Sequence, residues 1–370
     1  MTFRKATAAY EKWLAAELKI VPADLKLKHQ LMATAVFPYF RATFYRWAQL
    51  FPDVCPEFAK APPVLAVGDL HVENFGTWRD VEGRLVWGIN DFDEASSMPY
   101  TIDLVRLAAS AHLAIDSEQL RIAPRDACAA VLNGYREGIA AGGAPWVMGP
   151  KHQWLYEMVK PSLRDPVAFW QKLEALPATS ERLPGNARRG IAKLMPRGIS
   201  KFRLAHRVAG LGSLGRQRFV AIAEYAGGPV CREAKPLAPS AWDWARGLNR
   251  THTQPIRYQR AIDIAVRAAD PFVRLSGKWI IRRLAPDCSR IDLSAFPREK
   301  DESRLLHAMG WEVANLHVGS GGIKRVIADI EARPHGWLHR CAEAMVAATR
   351  QDWKEWAAYS KPRAAAAAGR

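Results

Sequence analysis

The 370-residue sequence predicts an α+β protein built as two lobes, with a large helical lobe that carries a hairpin placed first and a β-rich lobe second. Three observations point there. Apolar residues recur at helical spacing through most of residues 1–176 and again beyond residue 300. Between about 202 and 236 the spacing shortens towards two, as strands require. Between these regimes, Pro177, Pro184, Gly185, Asn186, Gly190, Pro196 and Gly198 crowd one stretch, which reads as a linker over 177–200. Hydrophobic residues at 49%, charged residues at 24% and 14 Trp suit a chain with large packed cores rather than a disordered one.

Each element follows in order. Residues 3–20 and 38–50 read as helices, the second opening near Pro38. Pro62-Pro63 breaks the chain, and Val64 to Val67 is a short apolar strand that runs into Gly68-Asp69. A polar turn, Asp80 to Gly83, precedes a second strand over 84–90, which runs into Asp91. Helical spacing covers 102–140 and continues to 176, closing a first lobe over 1–176. In the second lobe, 201–285, Arg203 to Val208 leads into three glycines, Arg218 to Ala223 leads out, Gly227-Gly228 turns the chain and Val230 to Lys235 returns. Helices near 240–249 and 256–268 and strands near 271–275 and 278–284 complete it. Helices at 301–317 and 323–357, within a segment 286–360, return to the large lobe, and 361–370 reads as a disordered, low-complexity tail.

The net charge of +16 favours anionic partners such as nucleotides, phosphorylated metabolites or nucleic acid. No run of five like charges marks a nucleic-acid tail. The five Cys are dispersed, none in a C-x-x-C pair, and read as mostly buried thiols of a reducing compartment. The N-terminal helix is interrupted by charges, without the apolar core of a signal peptide. No stretch approaches the roughly 18 apolar residues of a membrane span. A cytoplasmic protein without a membrane span is expected.

Two motif sets carry the chemistry. The first is Gly68-Asp69-Leu70-His71-Val72-Glu73-Asn74 with Asn90-Asp91-Phe92-Asp93. Asp69 and Asn74 share one loop after a strand, and Asp91 ends a second strand, so three oxygen-bearing side chains would converge. The set resembles the catalytic loop and metal-binding Asp of the protein-kinase-like fold. That resemblance makes Asp69 the residue that receives the acceptor hydroxyl, with Asn74 and Asp91 on Mg²⁺. Asp-x-His also opens the metallophosphoesterase pattern, but that pattern needs a later Asn-His, which this chain lacks; His71 is expected to support the loop. Asp93 is either an auxiliary metal or loop residue or a solvated carboxylate, since Ser96 stands where a calcium loop needs Gly. Asp103 and His317 read as structural anchors.

The second set is Gly210-Leu211-Gly212-Ser213-Leu214-Gly215 followed by Lys235. A dinucleotide-binding turn would open a helix and place an acid about 20 residues on. Here a strand pattern follows, and the residue 20 positions past Gly215 is Lys235. The set resembles the phosphate-covering loop and ATP-anchoring Lys of kinases. Glu233 shares the strand face of Lys235 and could pair with it. No Glu occurs from 234 to 298, so Asp263 is the other candidate partner.

Kinases carry the second set before the first; here the order is reversed. The stretches Gly68 to Gly76, Asn90 to Ala95, Asp103 to Ser110 and Gly210 to Gly215 resemble a bacterial family known as domain of unknown function 2252, over about 28–345. That family is similar to the kinase-like superfamily, nearer its aminoglycoside phosphotransferases. Val67 departs from it, standing where a structural His is usual. The resemblance implies a circularly permuted kinase-like fold, with ATP and Mg²⁺ as cofactors, an adenine-binding hinge near 278–284 and transfer to an acceptor hydroxyl that the motifs leave open. Nucleotidyl transfer on the same fold, or a non-catalytic basic protein that binds nucleotide or nucleic acid, are the alternatives. Monomer and swapped dimer are both compatible with the reversed order.

Overall fold

The computed structural model describes residues 1–248, 254–290, 292–293 and 301–368, with side chains through Ser360. Four helices open the chain: α1 (Phe3–Glu17), α2 (Pro22–Thr34), α3 (Val36–Ala42) and α4 (Phe44–Val54). Next come β1 (Pro63–Ala66), β2 (Phe75–Arg79), β3 (Leu85–Ile89) and β4 (Ser96–Pro99), then α5 (Thr101–Asp116) and α6 (Pro124–Ala140). The short β5 (Trp146–Val147) precedes α7 (Gln153–Val159), α8 (Pro166–Glu174) and α9 (Gly185–Leu194). Strands β6 (Arg203–His206), β7 (Phe219–Tyr225) and β8 (Gly228–Pro236) follow, then α10 (Ala241–Ala245), α11 (Tyr258–Ile264), β9 (Val273–Ser276) and β10 (Trp279–Arg283). The chain ends in α12 (Glu302–Ser320), α13 (Ile323–Ala332) and α14 (Trp337–Ala368). This is a mixed α+β fold.

Local chemistry sets several boundaries. Pro22, Pro124 and Pro166 each open a helix, where a missing N–H costs nothing. Asp165 and Asp301 cap α8 and α12 by accepting the Ala168 and Arg304 amides.

Strands β1 and β4 pair antiparallel, and β2-β3-β5 form a second sheet around the hairpin. The third sheet is antiparallel in the order β6-β7-β8-β10-β9. Its two faces differ by strand parity. Phe219, Ala221, Ala234, Trp279 and Ile281 pack on Ala187 and Ile191 of α9 and on Met195 just past its end. At Gly190 a Cβ would stand 2.5 Å from Ile281, so only glycine lets α9 lie this close. The opposite face packs Val220, Ile222 and Cys231 against Phe169 and Leu173 of α8, and further along it carries Glu233 and Lys235. A separate, larger core joins the helices to the two small sheets. The first and last helices meet there, Phe3 lying edge-on to Trp356.

Several expectations need correction. The stretch 177–200 is no linker: α9 forms inside it and covers one face of the large sheet. The N-terminal helix stops at Glu17, and α2, β2 and β4 were not foreseen. The helix expected over 256–268 spans only Tyr258–Ile264, and the one expected over 323–357 breaks between Ala332 and Trp337 around Pro334 and Gly336. The end of the helix expected over 240–249 lies outside the described residues, as do residues 369–370 of the tail. The rest of that tail continues α14 as far as Ala368. Cys55 and Cys341 form a disulfide between the end of α4 and α14, rather than two thiols; Cys128, Cys231 and Cys288 remain free. Among the described residues no helix is long and apolar enough to cross a membrane.

Candidate active site

Strand β1 delivers the loop Gly68–Asn74, and Asp103 fixes where it starts. The carboxylate of Asp103 accepts the Val67 and Gly68 amides at 2.7 and 2.8 Å. Buried His317 touches the same carboxylate at 3.1 Å and Tyr135 at 2.7 Å, so both residues are anchors as expected. Gly68 has φ +82°, and a Cβ there would lie 2.8 Å from the Glu94 carbonyl. Asp69 follows, held by Arg106 Nε at 3.0 Å. Arg106 is fully buried under the rings of Phe40, Phe44 and Trp47, and donates also to the Phe40 carbonyl. A guanidinium so enclosed needs an anionic partner. That pairing aims Asp69 while leaving 24% of its side chain exposed.

Asn74 braces rather than reaches. Its Nδ2 donates to the Asp69 and Asp91 carbonyls at 3.1 and 3.0 Å, and its Oδ1 accepts the Asp91 amide at 3.0 Å. The amide expected on a metal therefore ties the two loops together, with one Oδ1 lone pair to spare. His71 is buried in the same loop. Burial, then Arg41 and Arg106, hold its pKa well below the usual range, and its Nδ1 has no hydrogen-bond partner among the described residues.

Lys235 enters this site from β8. Its Nζ lies 3.1 Å from Asp91 Oδ2 and 2.6 Å from Asp93 Oδ2. Burial pushes the Asp91 carboxyl up, but the Lys235 ammonium outweighs it and holds it low. Burial and the Asp91 charge push Asp93 the other way, upwards. Asp93 is thus part of the constellation, not a solvated carboxylate, and its Oδ1 is buried without a partner among the described residues. Glu94 beside it accepts the Ala241 amide at 2.6 Å and lies 3.6 Å from Arg216; burial raises its pKa to about 7.

The two expected partners of Lys235 are elsewhere. Glu233 shares its strand face, yet its carboxylate is held by Arg218 at 2.7 Å, Arg282 at 2.9 Å and Arg207 at 2.5 Å. Burial would raise the Glu233 pKa, but these three cations hold it far below the usual range. Asp263 is exposed on α11 and bonded to Gln259.

The glycine loop lies over Asp69. A Cβ on Gly212 would stand 3.5 Å from Asp69 Oδ2 and 3.0 Å from the Arg41 carbonyl. Gly210 and Gly215 have φ of +74° and +94°, which few other residues adopt. Ser213 binds inward, accepting Arg218 Nη2 at 2.6 Å. Lys28 of α2 donates to the Gly212 carbonyl at 3.0 Å, and the Val21 amide to that of Gly215 at 2.8 Å, so the N-terminal helices hold the loop down.

Together these segments enclose a cavity of about 460 Å³. Its described wall carries nine arginines against seven carboxylates. Asp69, Asn74, Asp91, Asp93, Gly210, Gly212, Ser213 and Asp263 line it, with Lys235 buried just behind. Sequence reasoning missed the arginines. Arg106 alone had a readable signal: a lone Arg inside the mostly apolar helix Thr101–Asp116, one turn after Asp103.

This chain belongs to the bacterial family of domain of unknown function 2252, described as an uncharacterized protein conserved in bacteria. The family's sequence model matches residues 20–162 and 192–359, which include every residue of the constellation. The unmatched interval between them holds α8 and most of α9. No curated protein and no solved structure matches the chain.

Proposed function

We propose that this member of the family is an ATP- and Mg²⁺-dependent phosphotransferase with a kinase-like, circularly permuted, two-lobed arrangement. One observation carries the reading. Lys235, from the strand after the glycine loop, sits within 2.6–3.1 Å of Asp91 and Asp93, at the end of the hairpin that follows Asp69. In kinase-like sites, the lysine that anchors phosphates and the carboxylate that holds the metal meet at one nucleotide.

The residues fit both groups. Asp91 and Asp93 present hard carboxylate oxygens, one of them the unpartnered Asp93 Oδ1, as Mg²⁺ prefers. The ion, when bound, would neutralise phosphate charge. Lys235 would exchange its carboxylate contacts for phosphate oxygens, and the glycine loop would cover them. Asp69, aimed by Arg106, would orient the acceptor hydroxyl. Arg283 presents buried Nε and Nη2 groups with the weakly accepting Cys288 sulfur beside them, which favours an anionic acceptor on that wall.

Turnover of ATP with and without candidate acceptors tests this. Asp69→Ala should lower transfer at least 100-fold while nucleotide binding survives. Undiminished turnover by that variant would remove Asp69 from the chemistry. The mass added to the acceptor separates phosphoryl from nucleotidyl transfer.

A further inference from the structure

Away from the cleft, three helices bring two imidazoles and a thiol to one point. His112 stands on α5, Cys128 on α6 and His339 on α14. His112 Nε2 lies 3.2 Å from Cys128 Sγ, and His339 Nδ1 lies 4.0 Å from the same sulfur. One ligand atom from each of the three residues falls within 4.8 Å of the other two. His112 and Cys128 are buried, and His339 keeps 19% of its side chain exposed.

Both rings turn a lone pair towards that sulfur. His112 also hydrogen-bonds the Pro124 backbone. Proline has no N–H, so the ring must donate to its carbonyl, and Nε2 is left as the acceptor nitrogen. His339 Nε2 faces Glu343 Oε1 at 3.5 Å, which leaves Nδ1 as its acceptor nitrogen. Imidazoles oriented by a carbonyl or carboxylate behind them are the usual outer shell of a metal site. A thiol–imidazole hydrogen bond accounts for only one ring, because a single S–H proton cannot serve two nitrogens.

We propose that His112, Cys128 and His339 bind one Zn²⁺, with solvent as the fourth ligand. A borderline-soft set of two nitrogens and one sulfur selects zinc over Mg²⁺ or Ca²⁺. Zn–S of about 2.3 Å and Zn–N of about 2.05 Å at tetrahedral angles put S···N near 3.6 Å and N···N near 3.3 Å. The observed 3.2 and 4.0 Å straddle the first value. The two nitrogens need approach by no more than about 1.5 Å, within reach of side-chain rotation. As the Zn–S bond forms, Sγ releases its proton to solvent. The ion would pin the C-terminal helix α14 to α5 and α6, a role separate from the nucleotide cleft.

The test uses the full chain without an affinity tag, stripped of metal. Co²⁺ should give a thiolate-to-metal charge-transfer band in the wild type and none in Cys128→Ser. Zn²⁺ should raise the wild-type Tm by several degrees and leave Cys128→Ser unmoved. His339→Gln, altered at a partly exposed position, should lose most of the Tm shift with its circular dichroism intact, so a misfolded Cys128→Ser would not decide the matter. Equal Zn²⁺ shifts in wild type and both variants, or a Co²⁺ complex without the thiolate band, would overturn the site.

Discussion

Asp69 and Arg106 show how one residue's position is built from another's burial. The guanidinium has no route to water, so it holds Asp69 and the Phe40 carbonyl, and the carboxylate is aimed before any ligand arrives. Glu312 is a second buried charge with a measurable consequence. It accepts the Ile89 amide at 3.2 Å and Asn315 Nδ2 at 2.6 Å, behind β3, which ends two residues before Asp91. Burial raises its pKa from 4.5 to about 7 against the pull of Arg267. The folded state therefore binds this proton more tightly than the unfolded chain. Its stabilising contribution is complete below about pH 4.5 and is lost as pH rises through about 7, amounting to at most about 3 kcal/mol. Tm measured from pH 5 to 8 should show wild type losing stability relative to Glu312→Gln as pH rises. A difference independent of pH would contradict the raised pKa. Such partners were not readable beforehand. Period-two alternation placed Glu233 on the Lys235 face correctly, but alternation says nothing about three arginines arriving from the residue before β7, from β10 and from the 207 loop.

At the level of elements, α6 and α12 cross closely behind the β2–β3 hairpin. A Cβ on Gly134 would run into the His307 carbonyl, and one on Gly310 into that of Val131. Gly134→Ala should cost about 1–3 kcal/mol or more by forcing the helices apart. Gly149→Ala, with nothing within 4 Å of its Cβ, should stay within about 0.5 kcal/mol of wild type. Chemical denaturation compares the two, and equal midpoints would refute the tight crossing. Strongly patterned elements were legible: β1, β3, α5, α6, the β7–β8 hairpin and α12 lie close to where apolar spacing puts them. The failure at 177–200 has a physical reason. Gly185 and Gly190 read as breakers, yet Gly190 is the residue that lets α9 seat on Ile281. Proline and glycine density marks turns only where nothing packs against the glycine. The zinc ligands were equally hidden, since His339 stands 211 residues after Cys128.

The molecule as a whole joins sequence-distant pieces into one cleft. Lys235 and Asp91 are 144 residues apart, and the helix α2 that pins the glycine loop lies before either motif. The reversed motif order was visible in the sequence, and so was the demand that 69–91 face 210–235. The arginine-rich wall was not, because its members come singly from many elements. Our account makes this cleft a site for nucleotide with a divalent ion, anchored by Lys235 and Asp91. Calorimetric titration of ATP, with and without Mg²⁺, tests that claim most directly. The account predicts saturable one-to-one binding that Mg²⁺ strengthens, weakened at least tenfold in Lys235→Ala and insensitive to Mg²⁺ in Asp91→Asn. Undiminished affinity in Lys235→Ala, or no nucleotide binding by the wild type, would contradict it.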